Sequence, residues 1–131
     1  MNRMIYQVAV GSQSKLYLHC IESVKKYCDK YNITHIVQTE PILRIRPDET
    51  RSGRSKEAVN RLGYLPIYEK ENAFTHLKNY DQIAIIDSDI YVKIDSPNIF
   101  DTLTEEYAFG AVAERELPCA KKYKSKIRKY S

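Results

Sequence analysis

Tryptophan is absent from this 131-residue chain, and glycine occurs only four times, at Gly11, Gly53, Gly63 and Gly110. Glycines so few and so spaced contain neither a G-x-G-x-x-G fingerprint nor a P-loop, which removes the dinucleotide-binding and ATPase readings. Cysteine is scarce too. Cys20, Cys28 and Cys119 form an odd set with no C-x-x-C and no Cys/His ligand spacing, which speaks against a disulfide framework or a zinc site and for free thiols in a reducing compartment. No stretch approaches the roughly 20 apolar residues of a membrane span. The apolar run within MNRMIYQVAVGSQS is shorter than a signal peptide's hydrophobic region and reads as a first strand. A cytoplasmic protein without a transmembrane segment is the expectation.

What the chain does have is 43% hydrophobic residues against 29% charged ones, enough apolar surface to offset chain entropy and build one core. The formal charge of +4 is unevenly placed. Six of the bases lie after Cys119 with no acid among them, leaving 15 bases against 17 acids in residues 1–118, a net of −2. The body is mildly acidic and the tail is basic. That tail, ending KKYKSKIRKYS, carries no aromatic platform of known geometry. It reads as a frayed or partner-dependent terminus where a partner chain or oligomer would dock, and no nucleic-acid partner is expected. The expected organisation is an α/β domain over residues 1–116 and a basic tail over 117–131.

Residues 5–10 (IYQVAV) form a β-prone run closed by Gly11 and Ser12. Ser12 or Ser14 can then cap a helix in which Tyr17, Cys20, Ile21, Val24 and Cys28 recur at helical spacing, ended by Asn32. Residues 33–38 (ITHIVQ) read as a second strand, so the opening third fits a parallel strand, helix, strand crossover. Residues 39–63 hold Pro41, Pro47, Gly53 and five arginines, and predict a long basic loop with a helical turn near residues 55–62. A helix follows with Ala73, Phe74, Leu77 and Tyr80 on one face. It leads into IAII at residues 83–86, apolar enough for a central strand covered on both faces. Residues 90–94 predict further extended chain. Asp95, Ser96 and Pro97 predict a short helix burying Ile99, Phe100 and Leu103, and residues 107–112 (YAFGAV) a last strand.

The strand at 83–86 runs straight into Asp87-Ser88-Asp89. In an open α/β sheet, ligands gather beyond the carboxyl ends of the strands. Carboxylates at i and i+2 of extended chain point the same way, and the small Ser88 between them leaves room for a ligand. Two such oxygens suit a hard divalent cation, which in turn can bridge the oxygens of a diphosphate. By itself D-x-D also fits a hydrogen-bonded Asx-type turn closing a strand.

The flanks add to the motif. The pair Tyr80-Asp81, an apolar strand, DSD, a further β run and a Pro-containing short helix ending in Phe100 together resemble the nucleotide-sugar-dependent glycosyltransferases of the GT-A fold. The resemblance covers residues 5 to about 114, with its specific part at 68–100. It implies a three-layer α/β/α, Rossmann-like fold with a mainly parallel sheet. It also implies a nucleoside-diphosphate sugar donor, a UDP-sugar being favoured, held with Mn2+ or Mg2+ for transfer to an unknown glycan, lipid or protein acceptor. Carried over by position, Asp89 would be the principal metal ligand, and Asp87 would meet the ribose or the metal through water. Ser88 would lie against the nucleotide, and Val8, Ala9, Val10 and Gly11 would form the edge that holds the base. Lys70 matches a place where many members set a basic residue near the phosphates. Such enzymes continue past the strand equivalent to 107–112 with acceptor-binding surface and a catalytic carboxylate or its substitute. This sequence stops soon after it, so a donor-binding part lacking the C-terminal half is expected, and no catalytic residue is assigned.

Two other readings stand beside this one. Haloacid-dehalogenase-like phosphotransferases also place D-x-D after an apolar strand, the first Asp attacking phosphorus. They set the motif near the N-terminus, with Thr or Val two residues on, whereas here it is mid-chain and followed by Tyr91. The other is a non-catalytic nucleotide-binding module. His19, His35 and His76 fall on regular elements and read as structural. Interleaved Asp48, Glu49 and Glu57 make the arginine-rich segment read as a solvated loop.

Overall fold

Alternation along the first strand decides the layering. In β1 (Arg3–Val8) residues 4–7 are all buried, and successive side chains leave opposite faces of the sheet. Ile5 packs with Val24, Tyr27 and Cys28 of the helix α1 (Lys15–Tyr31) and with Ile33 and Phe100. Met4 and Tyr6 point the other way, onto Ala73, with Val8, Ile36, Tyr80 and Ile83 against them. A strand covered on both faces by helical layers gives a mixed α/β arrangement, as the sequence predicts. The computed structural model describes residues 1–11, 14–50, 52–102, 106 and 110–111. The chain divides into two units, Met1–Phe100 and Asp101–Ser131. The expected boundary at residue 116, the basic tail and most of the expected strand at 107–112 lie outside the described residues.

The described sheet has three parallel strands in the order β2-β1-β3, with β2 at Thr34–Gln38 and β3 at Gln82–Ile85. Met4 stands opposite Thr34 on one side and Ile83 on the other. One expectation is corrected among the described strands. β1 is the middle strand, whereas β3 is short, half-buried, and flanked among the described strands by β1 alone. Ile85 is 41% exposed. An apolar run records that a strand meets grease somewhere and does not record which strand is central.

α1 begins and ends where the sequence places it. The Ser14 hydroxyl accepts from the Tyr17 N–H at 3.3 Å, and Asn32 turns left-handed at φ 54° to close the last turn. Its side chains then satisfy the chain that follows β3. The Ser23 hydroxyl accepts from the Val92 N–H at 2.9 Å, and Tyr27 donates to Pro97 O and accepts from the Ile99 N–H. Tyr31 and Lys30 donate to Ser96 O and Ile94 O. The segment 90–94, whose Val92 N–H and Ile94 O are among these groups, forms no strand, contrary to the expected β run. The expected helix at Pro97 reduces to a 3-10 turn at Ile99–Asp101, in which Phe100 is buried but Ile99 is exposed. Leu103 lies outside the described residues.

The basic segment is more regular than the sequence suggests. α2 occupies Gly53–Leu62, capped by Ser52 and closed by Gly63 at φ 81°, a conformation only glycine adopts without strain. Pro66–Lys78 is a 3-10 helix, with three residues per turn rather than 3.6. That difference splits the expected face: Ala73 and Tyr80 pack against Met4 and Tyr6 as expected, while Phe74 and Leu77 turn outward. Glu69, Asn72 and Ala73 are buried, while Phe74 and Leu77 are 62% and 54% exposed.

Candidate functional site

The chain leaves β1 toward β2 on one side of the sheet and later returns to place β3 on the other side. The reversal opens a switch point between the carboxyl ends of β1 and β3, where open α/β sheets bind ligands. Asp87, Ser88 and Asp89 lie there. Pairing runs one residue past β3, with the Ile86 N–H donating to Tyr6 O at 3.1 Å. Gln7 Nε2 then donates to Asp87 O at 3.3 Å, and the buried Ser88 hydroxyl donates to Val8 O. Ser88 is thus turned onto β1, while Asp87 and Asp89 on either side are exposed.

The geometric premise for the acid pair needs correcting. Residues 87–90 form a turn closed by the Ile90 N–H on Asp87 O at 3.2 Å, not extended chain, so the i, i+2 argument for a shared carboxylate direction does not apply. The turn reading and the ligand-site reading describe the same residues at once.

The Lys70 ammonium pairs with an oxygen of the Asp87 carboxylate, a contact the sequence reading did not foresee. The residue before it fixes its root. Glu69 has no exposed surface and accepts from three successive backbone N–H groups, Ile42 and Leu43 at 2.9 and 3.1 Å and Arg44 at 2.7 Å. Gln38 and Asn72 add side-chain amides at 2.9 and 2.8 Å. Burial alone would push this carboxyl up, but the backbone donors of Arg44, Ile42 and Leu43, with the Gln38 amide, outweigh it and hold it down at about 2. Arg44 takes a left-handed φ of 50° where its N–H meets Glu69, a strained backbone that the carboxylate repays.

Behind the switch point lies a polar network that sequence reasoning missed. Gln38 Oε1 accepts from the Tyr6 hydroxyl and from Asn72 at 3.0 Å, while its amide nitrogen donates to Glu40 O and to Glu69. Burial, reinforced by the Glu69 charge, pushes the Tyr6 hydroxyl pKa up. Gln7 is fully buried between His35 Nε2 at 2.7 Å and Asp87 O. Burial lowers the His35 pKa, which disfavours the charged ring. The available signal was a glutamine near the carboxyl end of each of two β-prone runs, since a polar side chain buried in a sheet requires a partner.

The remaining expected residues are placed as follows. Val8 ends β1, Ala9 donates from its N–H to Gln38 O at 2.8 Å, and Val10 leads to Gly11 at φ 76°. His19 stacks on Tyr91, and His76 lies against Tyr6 and Tyr80. Cys20 and Cys28 are free and buried, and burial together with the neighbouring Asp29 raises the Cys28 thiol to about 11, an unreactive state. In the basic segment, Arg46, Asp48, Thr50, Lys56 and Asn60 line an open pocket of about 280 Å3.

No group of three or more His, Cys, Asp or Glu side chains able to hold a metal comes together among the described residues. Two carboxylates suffice for a cation that arrives with its own phosphate ligands, because Mg2+ is commonly held by one or two carboxylates plus substrate phosphates. No described helix is long and apolar enough to cross a membrane. No protein-family model, curated protein or solved structure matches this chain.

Proposed function

We propose that the switch point between β1 and β3 binds a nucleoside-diphosphate sugar with Mn2+ or Mg2+, as the donor site of a GT-A type glycosyltransferase. The observation that carries the reading is the docking of the DSD turn onto the end of the middle strand, through Gln7, Ser88 and Val8, at the sheet's topological switch. Asp89 is the principal ligand of the cation and Asp87 the second. Val8, Ala9, Val10 and Gly11 border the base, which we take to be uridine, and Ser88 secures the turn beneath the nucleotide. Lys70 supplies positive charge to the phosphates. When bound, the cation neutralises charge developing on the departing diphosphate, a form of catalysis that needs no protein nucleophile.

Calorimetry with a UDP-sugar and Mn2+ tests the site, with thermal melting as its mass-action counterpart. Asp89→Ala should remove most of the binding heat and of the ligand-induced rise in Tm, and Asp87→Ala should weaken both. Absence of binding by the natural chain across a panel of nucleotide sugars, or normal binding by Asp89→Ala, would show the reading to be wrong.

A further inference from the structure

We propose that Lys70 is the resident counter-ion of Asp87 and that the two exchange partners when the donor arrives, Asp87 turning to the cation and Lys70 to a phosphate oxygen, so that cation and nucleotide bind cooperatively. The inference rests on the donor-site reading above and adds to it a coupling between the two ligands.

The contact itself is the first support: Lys70 Nζ meets Asp87 Oδ1, occupying with a protein cation the place assigned to a metal. Exposure is the second. The Lys70 and Asp87 side chains are 35% and 53% exposed, so a ligand reaches both without opening the core. The third is the contrast between fixed roots and free ends. Glu69, next to Lys70, is locked by five donors, and the Asp87 carbonyl is held by the Gln7 amide and the Ile90 N–H. Only the charged tips are free to change partners.

Electrostatics then sets the order of affinities. Lys70, Asp87 and Asp89 together carry one net negative charge. A cation arriving alone must displace an ammonium from Asp87, and an anion arriving alone meets a lysine already neutralised. When both arrive, every charge keeps a partner, and by linkage each ligand strengthens the other by the same factor. A part-exposed ion pair is weak enough to be exchanged.

The test titrates Mn2+ alone, followed by electron paramagnetic resonance, and UDP with and without Mn2+, followed by calorimetry, on the full chain. Lys70→Gln should bind Mn2+ alone roughly two- to five-fold tighter than the natural chain, the scale of an exposed ion pair, and should bind UDP with Mn2+ more weakly. Asp87→Asn, which frees Lys70, should bind UDP alone tighter than the natural chain. Unchanged or weaker Mn2+ binding by Lys70→Gln, or unchanged UDP binding by Asp87→Asn, would overturn the exchange while leaving the donor site standing if the natural chain still binds Mn2+ with UDP. A natural chain that binds no Mn2+ with UDP overturns both.

Discussion

Glu69 has no exposed surface and yet carries a charge, and this single residue organises the approach to the site. Its five donors fix the chain at residues 42–44 and the base of Lys70 together. Glu69→Ala would remove the shared acceptor of these donors, two of which lie in buried hydrogen bonds, and urea unfolding should show a loss on the order of 1–3 kcal/mol, the cost of leaving buried polar groups unsatisfied. Acid should act in the same direction. The folded-state pKa of about 2 lies below the ordinary 4.5, so the fold favours the charged form. That contribution is complete above about pH 4.5 and lost as pH falls toward 2. A pH series of melting temperatures should therefore decline over this window in the natural chain and less steeply in Glu69→Gln. None of this was legible in the sequence, where Glu69 is one of three charged residues in a row, Glu69-Lys70-Glu71. A charged run normally signals solvent, and only three-dimensional closure of the 39–44 segment over it makes this one structural.

At the scale of elements, the sequence was readable where local rules decide and misleading where packing does. Ser14 and Asn32 bound α1 as cap chemistry requires, and the first crossover follows from β-prone, helical and β-prone runs in succession. The face expected of the Pro66–Lys78 helix holds for Ala73 and Tyr80 and fails for Phe74 and Leu77, because the four fit a 3.6-residue period that the segment does not adopt. Stability measurements separate the two faces. Met4→Ala, at a fully buried position of the middle strand, should cost about 2–5 kcal/mol. Phe74→Ser, at a 62% exposed position, should change stability by no more than about 0.5 kcal/mol. A large loss from Phe74→Ser would restore the expected face. Of the residues singled out in the sequence, Lys70 pairs with Asp87 and the turn that carries Asp87 and Asp89 docks on the end of β1, but the geometry of that turn was not legible. Whether DSD lies extended or turned depends on the tertiary partners Gln7, Val8 and Ile90, which pattern reading does not see.

For the molecule as a whole, the parallel order β2-β1-β3 places its switch point at the end of β3, which among the described strands is the one followed by paired acids, and the proposed function rests on that coincidence. Turnover is a separate matter from binding. Positioning an acceptor in attack geometry can supply roughly 7–11 kcal/mol of a barrier, and no residue of the proposed site is assigned to holding an acceptor. With a UDP-sugar, Mn2+ and mixed acceptors, the chain alone should release nucleotide slowly by hydrolysis and form little glycosylated product. Efficient acceptor-dependent product would place a complete catalytic set within these residues. The central claim, that a cation and a nucleotide meet at this strand end, is tested most directly by Mn2+ broadening of backbone amide resonances in the presence of a UDP-sugar. The account predicts selective loss of signal at residues 8–11 and 87–90, restored by Asp89→Ala. Broadening centred instead on the pocket of Arg46 and Lys56, or unaffected by Asp89→Ala, would contradict it.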